Sequence, residues 1–189
     1  EDYLAIRPER EADLRRHIEQ GRLSIGPWHI LPDEFLVSAE ATVRNLILGA
    51  AICARFGARL PIGYTPDPFG HIGQLPQILA GAGLTAAALQ RGLADEPTEL
   101  WWEAPDGTRL LTIFFRGGYG NLAWAPTTAE AFTLAVERQI NRLAPHALTP
   151  YLLLLNGTDH MMPQPELPAL IRAANERLTG KAALVHGTL

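Results

Sequence analysis

Apolar residues recur at helical spacing most clearly between Ser38 and Phe56. Val43, Ile47, Ala50, Ala51 and Ala54 align on one face there, and Leu46, Leu48 and Ile52 widen it. So broad a face predicts a well-buried helix, capped by Ser38 and closed by Gly57, with Arg44 and Asn45 at its edges. Arg7 to Gln20 is polar, with Leu14 and Ile18 four apart, and reads as a surface helix. Gln74–Gly83, Thr127–Leu143 and Glu166–Leu178 are further helical segments. Strands are predicted at Leu23–Gly26, Ala58–Tyr64, Thr85–Gln90, Tyr151–Leu155 and Ala182–His186; the continuous apolar run at 151–155 is typical of a buried parallel strand. Leu100–Glu103 and Thr108–Phe115 flank Pro105-Asp106-Gly107 and read as a β-hairpin. Alternation on that hairpin buries only one of Trp101/Trp102 and one of Phe114/Phe115. Strands alternating with helices, without repeat or linker, predict one α/β domain over residues 1–189 with a mainly parallel sheet or barrel.

Chemistry concentrates at the predicted strand ends. In Gly63-Tyr64-Thr65-Pro66-Asp67-Pro68-Phe69-Gly70-His71, Asp67 lies between two prolines, which hold it on stiff, extended backbone. It is either a rigid connector's capping acid or an acid aimed at a ligand, since α/β folds bind ligands at strand carboxyl ends. Asp159 follows the 151–155 run in the same way. Two such acids satisfy the need of glycoside hydrolysis for paired carboxyl groups. His29, His71 and His160 could add metal ligands, although no compact motif such as HExxH is present. Arg91-Gly92 after the third of these strands places a cation either at a site or on the surface. The glycine-rich loop Arg116–Asn121 lacks phosphate-binding spacing and could let Tyr119 approach a ligand. Trp28 packs a loop or lines a site; Asp33 and Glu34 are solvated acids or site residues.

Composition narrows the partners. The chain has 189 residues, 47% of them apolar and 19% charged, with net charge −4, and this supports neither nucleic acid nor an anionic membrane as a partner. A single cysteine, Cys53, excludes a disulfide framework and points to a reducing, cytoplasmic setting. No apolar run approaches the ~20 residues of a membrane span, and no signal peptide is visible, although the chain opens at Glu1 without Met.

Gly21 to Trp28, Pro32–Ser38, Arg44–Leu46, Gly63–Leu79, Arg91-Gly92, Trp102–Gly107 and Asn156–His160 resemble glycoside hydrolase family 38, the zinc-dependent retaining α-mannosidases, in their bacterial branch. The resemblance runs through the chain in order, and the PDPFGH-x3-LPQIL stretch is its most specific part. It implies the middle portion of a seven-stranded β/α barrel that binds zinc and acts on α-mannoside oligosaccharides. It implies that Asp67 is the nucleophile and a zinc ligand, that Asp159 is the general acid/base, and that Arg91 and Tyr119 bind substrate. Asp33 and Glu34 match an acidic pair near the site. The two catalytic carboxyl groups of a retaining enzyme should lie about 5–5.5 Å apart.

The family draws its other zinc ligands from a His-x-Asp motif and a later histidine, and neither stands in this chain. The expectation is therefore an incomplete barrel that binds no zinc and has little activity as 189 residues. Two other readings accompany it. One is an inert carbohydrate-binding piece that forms a homo-oligomer through exposed apolar surface. The other is a metal-dependent carbohydrate deacetylase using Asp67 with His71.

Overall fold

Four short strands form one sheet in the computed structural model, which describes residues 1–189. They are β1 (Ile62–Thr65), β2 (Ala86–Leu89), β3 (Glu99–Glu103) and β4 (Arg109–Phe114), in the order β1-β2-β4-β3. The helices are α1 (Asp2–Ile6), α2 (Glu11–Glu19), α3 (Ala39–Ala54), α4 (Leu75–Gly81), α5 (Ala129–Leu143) and α6 (Leu167–Arg177). The architecture is mixed α/β, with four strands where the family resemblance implies the seven of a barrel.

The chain gathers into two compact units. The first comprises Glu1–Gly92, Trp101–Thr112 and Gly187–Leu189; the second comprises Leu93–Leu100 and Ile113–His186. Each has its own core. In the first, Trp28, Leu46, Leu75, Leu79, Leu84, Ala87 and Leu110 cluster. In the second, α5 and α6 contribute Phe132, Val136, Leu170 and Ala174 to a cluster with Leu122 and Leu178.

β1 and β2 pair in parallel, with Ile62 opposite Ala86 and Thr65 opposite Leu89. β2 is buried along most of its length, as an apolar strand covered on both faces should be. The Pro105-Asp106-Gly107 turn forms as read: Gly107 has φ +85°, and the Asp106 carboxylate accepts the Thr108 N–H at 3.0 Å. Ser38 and Thr128 cap α3 and α5 by accepting backbone N–H bonds.

Four expectations fail, each for a physical reason. The face of α3 that turns inward carries Thr42, Leu46, Gly49 and Cys53, whereas Val43 and Ile47 are 41% and 61% exposed. Close backbone approach selects that face. A Cβ at Gly49 would come within 2.1 Å of the Pro27 carbonyl oxygen, so the 27–29 loop lies directly on the helix there. Second, Phe114 and Phe115 are both buried, because β4 ends at Phe114 and the alternation lapses beyond it.

Third, residues 151–155 and 182–186 form no ladder. Several of their backbone groups are met by side-chain amides, and the Leu155 carbonyl accepts the Leu122 N–H at 3.1 Å. Asn121 Nδ2 donates to the Leu153 carbonyl at 3.0 Å and its Oδ1 accepts the Leu155 N–H at 2.8 Å. Asn175 does the same at Leu184, at 2.9 and 2.6 Å. Fourth, residues 23–26 are not a strand; the one backbone bond to the segment before β1 runs from Leu60 N–H to the Ile25 carbonyl at 2.9 Å, and Leu23 N–H turns back to the His17 carbonyl at 3.2 Å.

Two outcomes follow for stability. Gly49→Ala should force the 27–29 loop off α3 and cost about 1–3 kcal/mol, read as a lower urea midpoint at unchanged slope. Glu99 accepts bonds from Thr149, the Leu148 N–H and Thr98; burial pushes its carboxyl up, but these bonds together hold it below its ordinary value of 4.5. A carboxyl depressed by folding stabilises above its unfolded value, and that contribution is lost as pH falls through the folded one. The melting temperature should therefore fall below about pH 4.5, and fall less steeply in Glu99→Gln.

Candidate active site

The in-register parallel pair places two loops side by side. Thr65 and Leu89 face each other at the carboxyl ends of β1 and β2, and Asp67 and Arg91 each lie two residues further on. Both prolines around Asp67 are buried, so the rigid backbone is anchored while the carboxylate remains about one-third exposed. Arg91 clasps that carboxylate, with Nε at 2.7 Å and Nη2 at 2.5 Å, both from Oδ1. The guanidinium also lies over the Phe69 ring, 4.4 Å from its centroid. An ion pair this exposed adds only about 0.2–1 kcal/mol to stability, so its consequence is orientation. Oδ1 is held and Oδ2 stands outside the clasp.

β1 itself is held at its end. Trp28 Nε1 donates to the Tyr64 carbonyl at 2.9 Å, and Thr65 Oγ1 donates to the Ala88 carbonyl at 3.1 Å. Trp28 is thus core and tether together. Asn45, read from the sequence as a helix-edge residue, pins the adjoining loop. Its Oδ1 accepts the His29 and Ile30 N–H groups at 2.8 and 3.1 Å, and its Nδ2 donates to the Ile30 carbonyl at 2.6 Å. Arg44 pairs with Glu40 at 2.8 Å on the exposed side of α3. A depression of about 180 Å³ is lined by Leu31, Pro32, Asp33 and Thr65 to Phe69 and borders Asp67. A larger cavity of about 720 Å³ lies among α1, α2 and α3 and does not include Asp67.

Of the acidic pair, Glu34 is buried and Asp33 half-buried, and both are engaged by the loop after β1. Asp33 Oδ1 accepts the Phe69 N–H at 2.8 Å. Glu34, 2% exposed, accepts the Ile72 N–H on Oε2 at 2.8 Å and meets His71 Nδ1 with Oε1 at 2.8 Å. His71 lies edge-on to Trp102, with ring centroids 5.3 Å apart. It is therefore Glu34's partner and has no bond to Asp67.

In the second unit, Tyr119 and Asp159 come together: the Tyr119 hydroxyl donates to Asp159 Oδ2 at 2.9 Å. Tyr119 lies on the loop after β4, and Asp159 lies in a turn beyond the 151–155 run rather than at the end of a ladder strand. Asn156 and Gln164, which sequence reasoning passed over, bind these two segments. Gln164 brackets Ala125, accepting its N–H at 3.1 Å and donating to its carbonyl at 2.8 Å. Asn156 Nδ2 donates to the Leu122 carbonyl at 2.9 Å and to Gln164 Oε1 at 2.8 Å. The non-glycine residues with positive φ, Trp124 at +54° and His160 at +57°, stand next to this clasp and to Asp159. Only the Asn-Gly pair at 156–157 hinted at any of this in the sequence, as a turn signal.

As a zinc site the set does not fit. No three His, Cys, Asp or Glu side chains gather around one point. Asp67 is engaged by Arg91, His71 by Glu34 and Asp159 by Tyr119.

Residues 1–189 match the glycosyl hydrolases family 38 N-terminal domain throughout. The chain is 43% identical, over 98% of its length, to a Halalkalibacterium halodurans protein named "Putative mannosylglycerate hydrolase", of which it covers 22%. It is 37% identical over 46% of its length to mouse "Alpha-mannosidase 2x", covering 8% of that protein. The crystal structure of an α-mannosidase from Enterococcus faecalis V583 superposes with a TM-score of 0.93 at 36% identity, covering 98% of this chain and 22% of that one. The chain thus spans about a fifth of the length of these longer relatives. The chain belongs to glycosyl hydrolase family 38 and matches its N-terminal domain.

Proposed function

We propose that this chain carries the two carboxyl groups of a retaining α-mannosidase, with Asp67 as nucleophile and Asp159 as general acid/base. The observation that supports it most is the Arg91 clasp on one oxygen of Asp67, at the carboxyl ends of a parallel strand pair. A nucleophilic carboxylate must present one oxygen to the anomeric carbon while the other is held. The geometry at Asp67 is of that kind, on proline-stiffened backbone that limits its reorientation.

Asp67 Oδ2 attacks the anomeric carbon as Asp159 gives its proton to the leaving oxygen. The glycosidic bond breaks and a glycosyl-enzyme ester forms on Asp67. Asp159, now a carboxylate, takes a proton from water, which attacks the same carbon and releases the sugar with retention. Tyr119, donating to Asp159 Oδ2, orients the acid so that its other oxygen faces the leaving group. The barrel implied by the family is proposed for the longer polypeptide, of which these four strands form a part. For the zinc that the family resemblance implies, this chain would offer one carboxylate, Asp67, and no step above runs through it.

A second substrate reading is favoured by the 43% match over nearly the whole chain to a relative named for mannosylglycerate hydrolysis. Under that reading the leaving group is glyceric acid rather than a second sugar, and the same two carboxyl groups act.

The 189 residues alone should hold well below one equivalent of zinc by elemental analysis and should not turn over an aryl α-mannoside; stoichiometric zinc with robust turnover would overturn this. In a full-length enzyme carrying these residues, Asp159→Asn should lower kcat by about 10²–10⁴-fold, and Asp67→Asn should abolish turnover. Proton NMR of the first-formed anomer should show the α product. A β product would exclude the retaining mechanism. Parallel assays on α-mannosylglycerate and α-mannobiose separate the two substrate readings.

A further inference from the structure

We propose that Asp33 and Glu34 are positioning residues that latch the Asp67 loop, with His71 as Glu34's buried counterpart. This rests on reading Asp67 as the nucleophile. The loop has an unusual backbone problem. Pro66 and Pro68 carry no N–H, so no hydrogen bond from either can hold the chain around Asp67. Donors become available again at Phe69, and the pair takes two of the four between there and Ile72. Asp33 accepts from Phe69 and Glu34 from Ile72, each at 2.8 Å. The two bonds straddle Gly70, whose φ is +147° and on which the Phe35 ring lies so closely that an added Cβ would fall 1.9 Å from Cε2. Three consecutive residues, Asp33 to Phe35, therefore grip one loop.

Glu34 is the costly member. Its side chain is fully buried, and both oxygens are committed, one to the loop backbone and one to His71. A buried carboxylate of this sort contributes little net stability compared with an apolar replacement, so its placement argues for geometry. His71 closes the latch. Its side chain is 9% exposed, Nε2 has no hydrogen-bond partner, and Nδ1 donates to Glu34. Glu34 is thus its one polar tether, and the edge contact with Trp102 sets the ring's tilt at 74°. A Cβ on Gly92 would meet His71 Cδ2 at 3.5 Å, so the same imidazole abuts the residue after Arg91. The buried pair braces both loops whose tips form the Asp67–Arg91 clasp.

The test uses a full-length enzyme carrying these residues, with Asp33→Ala, Glu34→Ala and Glu34→Gln. Displacing a reacting carboxylate by an ångström costs about a hundredfold in rate. Both alanine variants should therefore lower kcat by about that factor with KM within about threefold of the parent. Hydrogen exchange of the peptide spanning 68–72 should quicken by about tenfold in both, without a matching rise elsewhere. Glu34→Gln keeps an acceptor for Ile72 and can donate to the other tautomer of His71, so it should recover most of kcat. If Glu34→Ala does not fold, Asp33→Ala and Glu34→Gln decide. Parental kcat in Asp33→Ala, or a Glu34→Gln variant as slow as the parent's alanine variants, overturns the latch. Asp67→Asn, run alongside, separates the two claims. Turnover surviving it removes the nucleophile reading itself, whereas its loss beside a fully active Asp33→Ala removes the latch alone.

Discussion

The in-register parallel pairing of β1 with β2 is the constraint on which the first unit's chemistry depends. Parallel neighbours run out of ladder at the same level, so their following loops emerge side by side. Thr65 opposite Leu89 therefore puts Asp67 beside Arg91 with no further instruction. A slip of one residue would turn every side chain of β1 to the opposite face and separate the pair. Trp28 and Thr65, donating to carbonyls at 64 and 88, guard that register from within the core.

A second theme is how irregular backbone is satisfied. Loops around a site cannot all be solvated, and buried peptide groups need partners. Here side-chain amides and carboxylates supply them. Asn45 serves Ile30, Asn121 serves 153–155, Gln164 serves Ala125, Asn175 serves Leu184, and the two acids at 33–34 serve the loop after β1. In the apolar runs at 151–155 and 182–186, which form no ladder, such contacts reach Leu153, Leu155 and Leu184. An amide side chain bridges only a residue or two of such runs, and it does not propagate as a neighbouring strand does.

Much was legible in the residues themselves. The cap at Ser38, the Pro-Asp-Gly turn and the β1-α4-β2 succession follow from local rules of proline, glycine, short polar side chains and apolar spacing. Those rules act within a few residues, so one sequence suffices to read them. The order of motifs along the chain likewise sufficed for the family.

What local pattern could not decide is which of two apolar faces turns inward and which polar side chain meets which loop. α3 offers apolar residues on both sides. The 27–29 backbone lies against Gly49, and that contact buries Thr42, Leu46 and Cys53 while leaving Val43 and Ile47 outside. Asp33 and Glu34 are 36 and 38 residues from the amides they bind. In the sequence they are two acids among 20. Only the packing that brings the segment after Pro32 against the loop after β1 makes them its partners, because a hydrogen bond is specified by position in space, and tertiary packing alone brings such distant residues together.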